Sequence, residues 1–317
     1  MSQQDQSGRP DMDAVTYIMI AGPTASGKSQ LALDLATRLG GEIINADSMQ
    51  LYADLSVLTA RPSPGDLATA PHHLYGSLDA AHRASVAEWL SQAAAKMETV
   101  QKNGKMPIII GGTGMYLDAA LHGIAAVPDV PPSVHEHCID RHTRIGGAAF
   151  RAELAAHDPV VAARLNDGDS QRLIRAMGVV MASGLPLSHW QSKPHVGAFE
   201  GTPLKIAVLL ERDHLYQRIN SRFDKMLVAG AVEEVSALVA RQLNPSLPVM
   251  KALGVSSIAA ALGGRISMDE AAYLTKRDSR HYAKRQMTWL RNNYNAEMLI
   301  SEKLSESLYQ KIFSFIR

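Results

Sequence analysis

The chain has 317 residues and one cysteine, Cys138, so no disulfide can close within it and a reducing cytosol is the expected setting. Net charge is almost missing: 32 Lys and Arg stand against 31 Asp and Glu. Overall charge therefore argues neither for nor against a polyanionic partner, and its distribution has to be read instead. Long apolar runs are absent. The run Val15–Ala21 is far too short to span a bilayer, and residues 1–14 are polar, with no basic segment leading into an apolar stretch. The expectation is a soluble cytoplasmic protein with no membrane partner. No repeat at solenoid periods and no low-complexity tract is present, which excludes a stacked-repeat architecture. Apolar residues at 46% with charged residues at 20% exclude disorder, and the length suits one large or two ordinary domains.

What is present is organised around Gly22-Pro23-Thr24-Ala25-Ser26-Gly27-Lys28-Ser29. The loop follows the apolar run Val15–Ala21 and precedes a helical pattern of Leu31, Leu35 and Leu39. Strand, glycine loop and helix start form the context in which G-x-x-x-x-G-K-[ST] is a phosphate cradle. Its glycines turn backbone N–H groups onto an anion, Lys28 reaches the outer phosphate and Ser29 can hold Mg²⁺.

A second strand is read at Glu42–Ala46, and in an open α/β sheet the next residue, Asp47, falls on the ligand rim with Lys28. Asp47 is either a helix N-cap or a general base and outer partner of Mg²⁺. Residues 53–83 read as a long loop, in which His72 and His73 are either buried hydrogen-bonding groups or substrate contacts. A capping box at Ser85-Val86-Ala87-Glu88 opens a core helix, with Trp89 as packing. A third strand, Met106–Ile110, runs into Gly111-Gly112-Thr113-Gly114, where an ordinary P-loop NTPase carries a Walker B acid. Glycines allow close backbone approach there and Thr113 offers a hydroxyl, which favours a diphosphate leaving group over a phosphoryl group in transit.

Residues 124–197 read as an all-helical insertion starting at a capping box, Ser133-Val134-His135-Glu136, and nearly continuous to Ser183. His135, Cys138 and His142 share one helix face but have no fourth ligand in view. Arg172 and Arg175, beside Gln171, are either a solvated face or a phosphate-backbone contact. A fourth strand at Leu204–Leu210 returns the chain to the sheet. Arg218 and Arg222 on the following helix are surface residues or neutralise a leaving diphosphate. The last long helix begins at a capping box, Ser267 to Glu270. Between Lys276 and Arg291 it carries Arg277, Arg280, Lys284, Arg285 and Arg291, interleaved with Tyr282 and Trp289, a solvated face or a nucleic-acid surface. The expected fold is α/β: a P-loop parallel sheet with helices on both faces over 15–123 and 198–317, the helical insertion over 124–197, and a disordered tail over 1–14.

Taken together, Gly22–Ser29, Ile44–Tyr52, Pro71-His72-His73-Leu74, Gly111–Tyr116, Gln171–Arg175 and Ala283–Arg291 resemble the tRNA dimethylallyltransferases, or tRNA isopentenyltransferases, in the family's order. The resemblance implies transfer of a dimethylallyl group from dimethylallyl diphosphate to N6 of adenosine 37 of tRNA, flipped out of the anticodon loop. It implies Asp47 as base, Thr113 at the reacting centre, and Gly22, Thr24, Ala25, Ser26, Gly27, Lys28, Ser29 and Arg222 on the diphosphate with Mg²⁺. Asp47, Ser48, Met49, Gln50, Thr113, His135, the stretch Gln171, Arg172, Leu173, Ile174 and Arg175, and Arg280, Lys284, Arg285 and Arg291 would meet tRNA. A monomer is expected. The chain departs from the family pattern at Leu58, at Arg61, at Val255, where tyrosine is usual, and at His135, where a basic residue is usual. The competing readings are a free adenine-nucleotide isopentenyltransferase, a small-metabolite P-loop kinase and a nucleotide-dependent RNA-binding module.

Overall fold

The structure, a computed structural model, describes residues 15–301 and 304–316; the tail expected over 1–14 lies outside them. Val15–Ala21 forms β1, whose unbroken apolar spelling follows from burial on both faces. The chain continues through α1 (Lys28–Leu39), β2 (Glu42–Asn45), α2 (Pro64–Thr69), β3 (His72–His73), α3 (Val86–Lys102), β4 (Pro107–Gly111) and α4 (Gly114–His122). Then come α5 (Pro132–Ala155), α6 (Pro159–Arg164), α7 (Ser170–Ser183) and α8 (Leu187–Gln191). After them lie β5 (Thr202–Val208), α9 (Arg212–Val228), α10 (Ala231–Ala240), α11 (Val255–Leu262), α12 (Met268–Asn293), β6 (Met298–Ile300) and α13 (Glu306–Phe313). Contacts divide the chain into two compact units: residues up to Leu121 with those from Phe199 onward, and His122–Ala198.

In the first unit six strands pair in the order β3-β2-β4-β1-β5-β6, every pair parallel. Alternate residues of the central strands face opposite layers. Ile18, Ile20, Ile43 and Ile108 pack on Leu31 and Leu35 of α1 and on Leu308 and Ile312 of α13. On the other face Tyr17 meets Phe199, and Trp89 of α3 stacks on Tyr116 of α4 with ring centres 4.5 Å apart. The Trp89 indole N–H donates to the Asn45 carbonyl at 2.7 Å, so its polar end is satisfied inside the core. A separate apolar cluster joins Tyr52 and Leu55 to Phe223, Val235 and Leu238 of α9 and α10, and to Val255 and Ile258 of α11.

Several sequence expectations are corrected here. The stretch 53–83 is not all loop: it holds α2, with a reciprocal capping box between Ser63 and Asp66, and the edge strand β3. Two residues are too few to show a period, so β3 was invisible and the strands expected third and fourth are β4 and β5. His73 and His72 turn out to be hydrogen-bonded, to Glu42 Oε2 at 2.6 Å and to the Ala70 carbonyl at 2.8 Å. At α3 the Ser85 hydroxyl accepts from Glu88 N–H, but the Glu88 carboxylate turns to His82 instead of closing a box. At α12 the Ser267 hydroxyl likewise accepts from Glu270 N–H.

The second unit packs Cys138, Phe150, Leu154, Val161, Leu173 and Ile174 into its own core, and its two ends are tied by a backbone bridge between Ile124 and Val196. The capping box expected at Ser133 to Glu136 does not form. Pro132 takes the first helical position, which suits its fixed φ and missing N–H, so the helix starts earlier. The continuous helix expected to Ser183 is broken at Gly146 and again between α5, α6 and α7.

At the end of β4 a Cβ on Gly111 would stand 2.1 Å from the Ala46 carbonyl oxygen. The Gly111→Ala variant is expected to lose about 1–3 kcal/mol of unfolding free energy by overpacking, measured as a lower urea midpoint at unchanged slope.

Candidate active site

The phosphate loop leaves β1 and enters α1 through two left-handed residues, Ala25 (φ 63°) and Gly27 (φ 99°). This backbone turns successive N–H groups inward as an anion nest, and the α1 N-terminus adds partial positive charge. Ala25 anchors the loop in a cluster with Leu215 and Ile219 of α9 and Ala283 and Met287 of α12. The buried Ser26 hydroxyl has no hydrogen-bond partner among the described residues. Lys28 reaches back toward the Pro23 carbonyl at 3.4 Å.

α9 supplies the arginines. Leu215, Ile219 and Phe223 face the core, which turns Arg218 and Arg222 the other way. Arg222 donates to the Thr24 hydroxyl at 3.3 Å, and the Arg218 guanidinium stands 3.5 Å from where a Cβ on Gly27 would be. Together with Gly27, Lys28, Ser29, Gln217, Ser221 and Lys225 they line a cleft of about 600 Å³. Burial pulls the Lys28 ammonium down to about 8, against the field of Asp47, which raises it. Burial also lowers Arg222, with Asp47 opposing and Arg218 reinforcing.

Asp47 lies just after β2 and caps the short turn Ser48–Leu51 by accepting the Met49 N–H at 3.0 Å. The cap reading of this residue therefore holds, and its charge raises Lys28 and Arg222 against their burial. The Thr113 hydroxyl accepts from Ser48 N–H at 3.2 Å. Tyr75, Tyr116 and Tyr282 all lie in the field of Asp47, which with burial pushes their phenols upward. Gly112 carries no side chain for a packing reason: a Cβ there would meet Gln286 Nε2 at 2.3 Å.

The remaining expected residues are dispersed. Gln50 Nε2 donates to the Thr59 carbonyl at 2.8 Å, and Arg61 to those of Tyr52 and Ala53. Val255, where the family pattern has tyrosine, is buried, and Leu58 packs on the same cluster. In the helical unit Leu173 and Ile174 are core side chains, while Gln171, Arg172 and Arg175 are exposed and Arg175 donates to the Pro128 carbonyl. His135 is partly buried in the first turn of α5. On α12, Lys284, Arg285 and Arg291 are exposed, whereas Arg280 is tied to Asn220 at 2.8 Å. Tyr282 and Trp289 were expected to interleave with these cations toward a polyanion. Both are partly buried, and Trp289 lies where a Cβ on Gly114 would be.

Sequence reasoning missed Gln286. It is 6% exposed, accepts from Thr24 N–H at 3.0 Å and donates to the Gly112 carbonyl at 2.8 Å. The available signal was a polar residue on the apolar stripe of Ala283, Met287 and Leu290, since a buried amide needs partners.

For a divalent cation the donor set is sparse: among the described residues no three His, Cys, Asp or Glu side chains converge. Ser29 is exposed beside the anion nest. That suits Mg²⁺, which keeps several waters and binds through few protein oxygens plus substrate phosphates.

A family model described as IPP transferase matches residues 50–293, and one described as isopentenyl transferase matches 15–75. A tRNA dimethylallyltransferase of Paramagnetospirillum magneticum is 46% identical over 300 residues, covering 95% of each chain. One of Rhodopseudomonas palustris is 50% identical over 278 residues, covering 87% of each. The solved tRNA isopentenylpyrophosphate transferase of Bacillus halodurans aligns with a TM-score of 0.68 at 30% identity over 95% of both chains. A eukaryotic dimethylallyltransferase crystallised acting on tRNA shares the fold, with a TM-score of 0.80 at 24% identity over 95% of this chain and 78% of that one. A parallel-sheet P-loop core and these relatives make the chain a transferase of the prenyltransferase class. The chain belongs to the tRNA dimethylallyltransferase family.

Lys28 is charged in the free protein below about pH 8 and neutral above it. An anion in the nest favours the charged form, so affinity for inorganic diphosphate, corrected for the ligand's own ionisation, should fall as the pH rises through about 8. Calorimetric titration across this range checks the slope, and Lys28→Met should abolish it.

Proposed function

We propose that the chain transfers a dimethylallyl group from dimethylallyl diphosphate to N6 of adenosine 37 in tRNA, releasing diphosphate. The observation that carries this reading is the Asp47 carboxylate just after β2, whose charge acts on Lys28 and Arg222, with Thr113 bonded to the neighbouring Ser48 N–H. A base for the nucleophile and a cradle for the leaving group then share one rim of the sheet.

In this mechanism the nest, Lys28 and Arg222 hold the diphosphate, and the unpartnered Ser26 hydroxyl gains an anionic acceptor. Mg²⁺, held by Ser29 and diphosphate oxygens, would offset charge on the leaving group. The C1–O bond breaks with its electron pair going to diphosphate, N6 bonds to C1, and the N6 proton passes to Asp47. The adenine has to leave its stack to bring N6 to this carboxylate. Gln171, Arg172 and Arg175 of the helical unit, with Lys284, Arg285 and Arg291 of α12, would grip the tRNA backbone. We take the setting to be the cytoplasm, where a tRNA-modifying enzyme meets its substrate, and the protein to be a monomer.

Incubated with dimethylallyl diphosphate, Mg²⁺ and either unmodified tRNA or AMP, the protein should add a dimethylallyl mass to adenosine of tRNA only, read by nucleoside mass spectrometry. Labelling of AMP would favour the free-nucleotide enzyme. Asp47→Asn should lower single-turnover transfer about 10²–10⁴-fold while tRNA affinity stays near wild type; the reverse pattern would remove Asp47 as base. Lys284→Ala with Arg291→Ala should weaken tRNA binding and reduce its salt slope by about two; an unchanged slope would take these residues off the tRNA.

A further inference from the structure

Gln286 lies in the middle of a helix whose charged face points elsewhere, yet both ends of its amide are committed to the site. Oε1 accepts the N–H of Thr24 at 3.0 Å, and Nε2 donates to the carbonyl of Gly112 at 2.8 Å. Thr24 belongs to the phosphate loop and contacts Arg222. Gly112 precedes Thr113, which is bonded to Ser48 N–H next to Asp47. One amide thus spans the gap between the cradle side and the nucleophile side.

The surroundings leave this amide no alternative. Gln286 is 6% exposed, flanked by buried Ala283, Met287 and Leu290, and it occupies the space in which a Cβ at Gly112 would lie. Because one end must accept and the other must donate, only a neutral group with both functions satisfies the two loops. A glutamate's ionised carboxylate would face the Gly112 carbonyl with a second acceptor.

We propose that Gln286 is a positioning residue for the transfer reaction: its amide locks the diphosphate loop in register with the Gly112-Thr113 turn, fixing the leaving group relative to the nucleophile. The inference rests on the prenyl-transfer reading for its kinetics and on the two hydrogen bonds alone for its effect on the cradle. A shift of about 1 Å between two such loops is enough to slow a reaction about 10²-fold.

The test uses the full chain and two variants, Gln286→Met, of similar length without polar atoms, and Gln286→Glu. Single-turnover transfer to unmodified tRNA is measured at saturating donor and tRNA from mildly acidic to neutral pH. Inorganic diphosphate binding is measured alongside, with thermal melting as the fold control. Gln286→Met should cut the transfer rate about 10²-fold with the Kd for tRNA unchanged. It should also weaken diphosphate binding about tenfold, as expected for a loop that has lost one anchoring hydrogen bond. For Gln286→Glu, the ratio of its rate to the wild-type rate should climb as pH falls, because a protonated carboxyl restores both donor and acceptor. A generic loss of packing would leave that ratio flat. Wild-type transfer by Gln286→Met, or a flat ratio for Gln286→Glu, overturns the proposal even if one variant melts early. If the wild-type protein transfers nothing to tRNA, the prenyl-transfer reading falls, and diphosphate binding by the two variants decides on Gln286.

Discussion

Four cations, Lys28, Arg218, Arg222 and Lys225, face one cleft, and Asp47 is the carboxylate whose field reaches two of them. This arrangement is unfavourable by itself. Burial lowers both Lys28 and Arg222, and Arg218 adds like-charge repulsion to Arg222. Such a cluster persists because the elements carrying it are over-determined by packing: α9 through Leu215 and Ile219, α12 through Ala283 and Met287, and the loop itself through Ala25 in the same cluster. An anion of two or more charges would relieve the repulsion, supply the missing partner of Ser26 and take up the inward N–H groups of the nest. Unpaired positive charge held in place by an apolar cluster is an anion site with the protein's share of the ordering already done.

The same packing explains why no acidic side chain follows β4. A Cβ at Gly111 runs into the backbone of residue 46, and one at Gly112 runs into Gln286. The glycines are there because two backbones and a buried amide converge, and the space of a Walker B acid is filled by protein. Thr113 is then the first residue after β4 with room for a polar side chain, and it bonds toward the Asp47 side. The close approach that excludes an acid there leaves the Thr113 hydroxyl bonded to the residue next to Asp47.

Legibility differed by element. β1, β2, β4 and β5 were readable because their buried stretches, 17–21, 43–44, 107–110 and 206–208, read as short apolar runs. The two-residue strand β3 was not, and neither was α2, whose six residues include no buried side chain to carry a period. Capping boxes were over-read: Ser133 to Glu136 has the right letters, but Pro132 had already opened the helix. On α12 the count of lysines and arginines drew attention to charge, while the side chain joined to the phosphate loop, Gln286, sits among them uncharged. Leu173 and Ile174 show the converse, since a stretch matched by resemblance contains core side chains beside exposed ones.

By itself the sequence determined what depends on near neighbours in the chain. That covers the phosphate loop between strand and helix, the rim position of Asp47, the sheet class and the family, because turn chemistry and apolar period are local properties. Only the tertiary structure decided which distant residues complete the site. Gln286 lies 262 residues from Thr24 and Arg222 lies 198 from it, and no local rule relates positions so far apart. Their convergence is set by how α9 and α12 bury their apolar stripes against the loop, a property of the packed core and not of any segment.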